Sequence, residues 1–281
     1  MNFALIANPD KDIGFSVSSD IVKYLNGKGA CVYSDRDISG TVYTDKSEAV
    51  KNCDIIITVG GDGTILKIVK DAYAYDKPIL AVNLGTVGYM ASMEPYEYAK
   101  FDALFEGDYS YVYRSVLSVS AGNEQCSVCK DAIALNDAVI SHGIITQLIN
   151  VELFCNGKSI TSYRADGLIF STPTGSTAYS LSAGGPIIDT ELETIEVTPV
   201  CAHSFNGRSI LFKDSSILEA ASVDGRENVC YLTIDGSENY KLEAEDTVKV
   251  RLAEKKIRTI TFDSDSFYNT LSKKIKKGER T

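Results

Sequence analysis

DIIITVGGDGTILKIVKDAYAY, residues 54–75, decides the fold class. Its first half is a continuous β-branched run, Ile55 to Val59, held between Asp54 and Gly60. A strand with one wet face alternates polar and apolar residues. A run without alternation is covered on both faces, as in a parallel sheet. In the second half Ile65, Ile68, Val69 and Ala72 recur at helical spacing, which predicts a helix over 64–75. Working outward, FALIAN (3–8), ACVYSD (30–35) and PILAVNLG (78–85) read as further strands. SSDIVKYLNGKG (18–29) reads as a helix, with Ile21, Val22 and Leu25 on one face and a stop at Gly27 and Gly29. Strands alternating with helices predict a doubly wound α/β domain over residues 1–100, with GGDGT (60–64) leaving its buried strand.

The texture changes after residue 95. EPYEYAKFDALFEGD (94–108) still reads as a helix, with Tyr98, Phe101 and Leu104 or Phe105 on one side. From Tyr111 onward short β-rich runs recur between turn signals, among them AIALNDAVISH (132–142), QLINVELFCNG (147–157), GLIFSTP (167–173) and CYLTIDG (230–236). The predicted class is therefore a two-domain α/β plus all-β chain, the second domain (101–261) mainly antiparallel. A last helix, within 262–281, carries Phe267, Leu271 and Ile275 at i, i+4, i+8 and is expected to pack back on the first domain. Its lysines suit a helix end better than a polybasic membrane tail.

With 28 Lys+Arg against 38 Asp+Glu in 281 residues, the net charge is −10. That balance argues against nucleic acid, whose phosphates want a basic surface. No run approaches the roughly 18 apolar residues of a membrane span, so no membrane association is expected. MNFALIANPDKD lacks a basic n-region and has its apolar run broken by Asn8 and Pro9, which reads as a strand rather than a signal peptide. Seven scattered cysteines fit reduced thiols in the cytoplasm. Cys126 and Cys129 form a CxxC, but no second pair completes a four-thiolate zinc site. On a strand, positions i and i+3 point to opposite faces, so free thiols are expected there.

Three stretches carry chemistry. Gly60-Gly61-Asp62-Gly63-Thr64 lies between strand and helix, where glycines bring backbone N–H groups close to a phosphate. Asp62 has no place in a simple anion cradle, since its charge repels the ligand. It reads as a base aimed at an acceptor hydroxyl or as a ligand on the metal side, unless it merely caps the helix. The loop is neither a P-loop nor a dinucleotide fingerprint. Ser171–Pro186 is dense in hydroxyls and small residues, as a nucleotide site requires, though an ordinary surface loop has the same look. Asn136-Asp137 interrupts an apolar strand with two polar groups, fit to bind a ribose diol or simply to mark a bend.

Together these elements resemble the NAD kinase family. The matching pieces are GGDGT (60–64), NLGTVGYM (83–90), LNDAVI (135–140), RADGLIFSTPTGSTAYSLSAGGPI (164–187), TPVCAHSF (198–205) and LTIDG (232–236). The resemblance implies phosphorylation of the adenosine 2′-hydroxyl of NAD to give NADP, with ATP as donor and a divalent metal, Mg²⁺ being expected. It also implies a cytoplasmic homo-oligomer, dimer or tetramer, with NAD and ATP as its partners. Asp62 matches the family's catalytic base and Gly63 shares its loop. Lys67 matches a basic position, usually Arg or His. Tyr89 stands for a Phe beside the adenine. Asn136 and Asp137 match the NAD-binding pair, whose second member is more often Glu. Arg164 and Asp166 match contacts next to the nicotinamide end and across the subunit interface. Thr177, Ala178, Tyr179, Ser180, Leu181 and Ser182 match the adenine-side loop. Gln147 and Ser237 stand at polar positions of the site, and His203 falls in a family motif without a fixed role. No protein-held metal site is implied. Two other readings share the GGDGT loop: a lipid kinase, which wants a basic or apolar membrane face, and a non-catalytic NAD-binding regulator, which would be expected to lose Asp62.

Overall fold

A computed structural model of the chain describes residues 1–85, 88–143, 148–203, 207–222, 230–263 and 266–278. The chain forms two compact units, Met1–Tyr113 with Ile257–Thr281, and Arg114–Lys256. The sequence places the boundaries at residues 100 and 261. The units divide at 113 and 256, because Ser110–Arg114 and Ile257–Thr261 both belong to the first sheet.

In the first unit β1 (Asn2–Ala7), β2 (Cys31–Ser34), β3 (Val42–Tyr43), β4 (Ile55–Gly60), β5 (Ile79–Asn83) and β6 (Ser110–Arg114) lie in one seven-stranded sheet. The order is β3-β2-β1-β4-β5, then Ile257–Thr261, then β6. Pairing is parallel from β3 through Ile257–Thr261. Every residue of β4 is buried, as its unbroken apolar run requires. Phe3, Leu5, Ile57, Val59 and Leu80 share one core with Ile21, Val22 and Leu25 of α1 (Ser16–Gly27). Each such side chain contributes about 1.5–3 kcal/mol through burial. The buried Asp12 carboxylate accepts from the N–H of Val17 (3.0 Å) and Ser18 (2.9 Å) and from the Ser18 hydroxyl, so it caps α1 from outside the helix.

Two elements here carry no strong sequence signal. β3 spans two residues, and α2 (Lys46–Asn52) buries only Ala49 and Val50. Asp45 caps α2 by accepting from the Glu48 N–H at 3.0 Å. The single helix expected over 64–75 is two short ones, α3 (Asp62–Leu66) and α4 (Val69–Tyr75). Ile68 N–H reaches Ile65 O at 3.0 Å, a tight turn in place of the i−4 bond. Ile65, Ile68 and Val69 are almost fully buried, as their helical spacing predicts, although the helix is interrupted between them. α5 (Tyr98–Glu106) buries Phe101 and Leu104 and ends at Gly107, whose φ of 76° suits a left-handed cap.

The second unit is two six-stranded sheets, and its strand pairings are antiparallel. One sheet has β7 (Leu117–Gly122), β8 (Ser127–Ala134), β10 (Ile149–Cys155), β11 (Lys158–Ala165), β15 (Leu218–Ser222) and β18 (Thr247–Leu252). The other has β9 (Asp137–His142), β12 (Gly167–Ser171), β13 (Thr194–Val200), β14 (Ile210–Lys213), β16 (Cys230–Ile234) and β17 (Glu238–Leu242). Leu117, Leu153 and Val250 from the first meet Leu168, Phe170 and Val197 from the second in one core. Cys126 is exposed in the β7–β8 turn while Cys129 is buried on β8, and both are free thiols.

The chain returns to the first unit through β19 (Ile257–Thr261), followed by α7 (Ser266–Gly278). Of the stripe expected to face the domain, Phe267 and Leu271 are half-buried, but Ile275 is 52% exposed. Lys274 is half-buried as well, its Nζ 3.8 Å from the centre of the Tyr89 ring.

Candidate active site

The GGDGT turn is built at the carboxyl end of β4. Thr64 N–H donates to Gly61 O at 2.8 Å, closing the turn, and Gly61 N–H lies 3.4 Å from the Thr64 hydroxyl. A methyl group on Gly60 would fall on the Thr64 side chain, so the chain can turn here only at glycine. Asp62 is the first residue of α3, and the residue before it, Gly61, is the cap. The aspartate therefore does not cap the helix. Its carboxylate accepts instead from the N–H of Tyr89 at 2.9 Å and of Met90 at 3.4 Å. Gly88 is the third wall: a methyl group there would overlap the carboxylate. A carboxylate offers about four lone-pair sites, so two donors orient Asp62 and leave it able to accept a proton. α3 has only five residues, so the dipole expected behind the loop is that of a single short turn.

Tyr89 is half-buried, and burial, followed by the Asp62 charge, pushes its hydroxyl pKa up. Lys67 is exposed just beyond α3, its carbonyl accepting from Lys46 Nζ at 3.1 Å. Gly63 is exposed on the outer side of the turn.

In the second unit the polar break at Asn136-Asp137 is the corner where the chain leaves β8 in one sheet and enters β9 in the other. Asp235, in the turn after β16, clamps that corner. Its carboxylate accepts from the N–H of Leu135 (2.8 Å), Asn136 (2.8 Å) and Asp137 (3.1 Å), and its own N–H donates to Asp137 O at 3.0 Å. The other side is held by Thr172, whose hydroxyl donates to Leu135 O at 2.6 Å and whose N–H donates to Asn136 O at 2.9 Å. Gly175 packs so closely that a methyl group on it would overlap the Asn136 main chain. The hydroxyl-rich loop and the Asn136-Asp137 corner are thus one assembly. Burial, followed by the Asp235 charge, pushes Asp137 up to about 7. Burial also raises Asp235, against the three N–H groups that favour its charge.

Within the loop the adenine-side candidates divide. Thr177 and Ala178 are half-buried, while Tyr179, Leu181 and Ser182 are exposed on or beside α6 (Tyr179–Ser182). Ser180 faces inward: it is fully buried, and its hydroxyl donates to Thr198 Oγ1 at 3.0 Å. Arg164 is exposed on β11. Asp166 lies 3.9 Å from His142 Nε2. Ser237 and His203 are exposed, and the His203 main chain donates to Arg164 O at 2.8 Å. Gln147 lies outside the described residues.

Three residues of these assemblies escape a reading of the sequence. Asp235 sits in the quoted motif LTIDG yet earns no role until its hydrogen bonds are seen. Gly88 and Lys274 approach Asp62 from segments whose proximity only the fold provides.

Two family models match the chain: the ATP-NAD kinase N-terminal domain over residues 3–109 and the ATP-NAD kinase C-terminal domain over 135–262. The NAD kinase of Lachnoclostridium phytofermentans is 36% identical over 97% of this chain and 98% of its own. That of Natranaerobius thermophilus is 34% identical over 98% of each. Among solved structures, yeast NADH kinase complexed with NADH superposes with a TM-score of 0.83 at 24% identity, covering 97% of this chain and 86% of that one. An NAD kinase from Archaeoglobus fulgidus in complex with ATP gives 0.77 at 22%, covering 97% and 98%. These two likenesses bear on the fold alone. With both domain models matched in order, and relatives above 30% identity along nearly the whole length, the chain belongs to the ATP-NAD kinase family.

Proposed function

We propose that the protein is an NAD kinase that transfers the terminal phosphoryl group of ATP to the 2′-hydroxyl of the adenosine ribose of NAD, giving NADP and ADP. The observation that carries the reading is Asp62, a carboxylate oriented by two main-chain N–H groups inside a glycine-walled turn. A secondary hydroxyl is a poor nucleophile. As its oxygen bonds to phosphorus and the bond to the ADP oxygen breaks, its proton must leave, and Asp62 is the group that takes it.

Asn136 and Asp137, preset by Asp235 and Thr172, bind the ribose hydroxyls of NAD. Thr177, Ala178, Tyr179, Leu181 and Ser182 of the second unit serve its adenine side, and Ser180 supports that loop from within; Tyr89, in the first unit, stands at the position where the family carries an aromatic for the adenine. Arg164 and Asp166 serve the nicotinamide end. Lys67, Gln147 and Ser237 are polar contacts carried over from the family.

Among the described residues no group of three or more His, Cys, Asp or Glu is placed to hold a metal ion. Asp62 is the one carboxylate of its loop, which fits a magnesium ion that arrives on the donor's phosphates with most of its water. Such an ion would neutralise charge on the transferring group. Among the described residues no helix is long and apolar enough to cross a membrane. Free thiols support a cytoplasmic setting, and the family likeness supports a homo-oligomer, dimer or tetramer, which light scattering checks.

The test of the activity is incubation with NAD, ATP and magnesium, with NADP read through an NADP-specific dehydrogenase. NADP is expected only when all three are present. Its absence from the complete mixture contradicts the reading.

A further inference from the structure

Asp62 poses a problem for any polyphosphate bound at Gly60–Thr64, because a carboxylate repels the anion that the glycines make room for. Two lysines, far apart in sequence, answer that charge. Lys11 follows β1, and a methyl group added to Gly61 would lie 2.5 Å from its Nζ, one added to Gly85 3.7 Å away. Its ammonium rides over two glycine surfaces at the ends of β4 and β5. Lys274 comes from α7 and holds its Nζ 3.8 Å from the Tyr89 ring centre, while the Tyr89 N–H is one of the two that fix Asp62. Burial lowers the Lys274 pKa, and the nearby Asp62 charge pulls the other way. Among the described residues no carboxylate forms an ion pair with either ammonium. Lys274, half-buried and so drawn partly out of water, costs free energy until a counter-charge completes it, while Lys11 stays exposed over the glycines; to both, phosphate oxygens give the strong, charge-assisted contact.

We propose that Lys11 and Lys274 form the cationic half of a polyphosphate site around Asp62 and grip the linked phosphates of the phosphoryl donor. The inference rests on the kinase reading and adds two donor-binding residues, one of them from the C-terminal helix. With both lysines in place the charge of the site turns from negative to positive, so the base and the phosphates can share one turn. The chemistry recognised is a run of linked phosphates, whether of a nucleoside triphosphate or of an inorganic polyphosphate.

The test is titration calorimetry on the full chain with magnesium, using ATP or inorganic tripolyphosphate in separate runs without NAD. Lys11→Met and Lys274→Met are each expected to weaken ATP binding about tenfold, the size of one charge-assisted contact, and Lys11→Met, which touches none of the residues assigned to NAD, to leave the Kd for NAD unchanged. Lys276→Met removes the same charge from an exposed position of α7 and is expected to bind as wild type does. Tripolyphosphate binding should weaken in step with ATP; a response from ATP alone would mean that the lysines read the nucleoside and would overturn the proposal. Equal ATP affinity in all four proteins overturns it, and so does an equal loss in Lys276→Met. Should Lys274→Met lose NAD and ATP binding together, that counts against its half of the site, and Lys11→Met, in an exposed loop, decides the rest. Weakened ATP binding in the variants, with no NADP formed by wild type, would leave this proposal standing while the kinase reading fails.

Discussion

Burial of Asp137 at the start of β9, beside the Asp235 carboxylate, lifts its pKa to about 7, against roughly 3.9 in an unfolded chain. The native state then keeps a proton that the unfolded state releases between those values. The contribution of this one group to stability is therefore full below about pH 4, falls as pH rises towards 7, and is lost beyond; that loss is at most about 4 kcal/mol. Asp137→Asn removes the titration. Melting curves at pH 5 and pH 8 should show wild type losing stability across the interval and the variant losing much less, with the variant about 2 kcal/mol ahead at pH 8. An unchanged pH slope in the variant would contradict the burial argument. The sequence marks this residue, because two polar side chains inside an apolar run need partners. It does not mark Asp235 as the partner, because a carboxylate ninety-eight positions away acquires that role only when β16 pairs with β9.

The loops after β4 and β5 act together through Gly88. Gly88→Ala would drive a methyl group into the Asp62 carboxylate, and a misplacement of about 1 Å can cost up to roughly 100-fold in rate. Turnover is expected to fall at least about tenfold while the Kd for NAD holds; equal turnover would mean that Asp62 has room to move. In the second unit Gly175→Ala pushes on the Asn136 main chain and should cost about 1–3 kcal/mol of stability together with weaker NAD binding. Denaturant titration alongside NAD titration checks both. Elements with strong hydrophobic signals are legible in the sequence: β4, β5, α1 and α5 stand within a few residues of their predicted positions. α2 and β3 are not, since they bury too little to leave a pattern. The break between α3 and α4 at Lys67 and Ile68 is not legible either, since the apolar residues keep their helical spacing across it.

For the whole molecule, the class of each unit follows from the switch of pattern near residue 100, from unbroken apolar strands with helices to short alternating strands. The return of β19 and α7 to the first unit is less legible. The spacing of Phe267, Leu271 and Ile275 predicts the helix α7, but not that Lys274 lies over the Tyr89 ring. Among the described residues no side-chain cluster suits a structural metal ion. A chelator should therefore leave the melting temperature unchanged while it stops NADP formation; large chelator-induced unfolding would point back to Cys126 and Cys129. The central claim is that Asp62 accepts the proton of the 2′-hydroxyl, and turnover of Asp62→Asn at saturating NAD and ATP tests it most directly. Asn keeps the size of the side chain and one acceptor for the loop N–H groups, but cannot take a proton. The account expects turnover to fall by at least about 100-fold, with NAD affinity and melting temperature close to wild type. Turnover within a few-fold of wild type would contradict it and leave Asp62 a turn residue that ties two loops together.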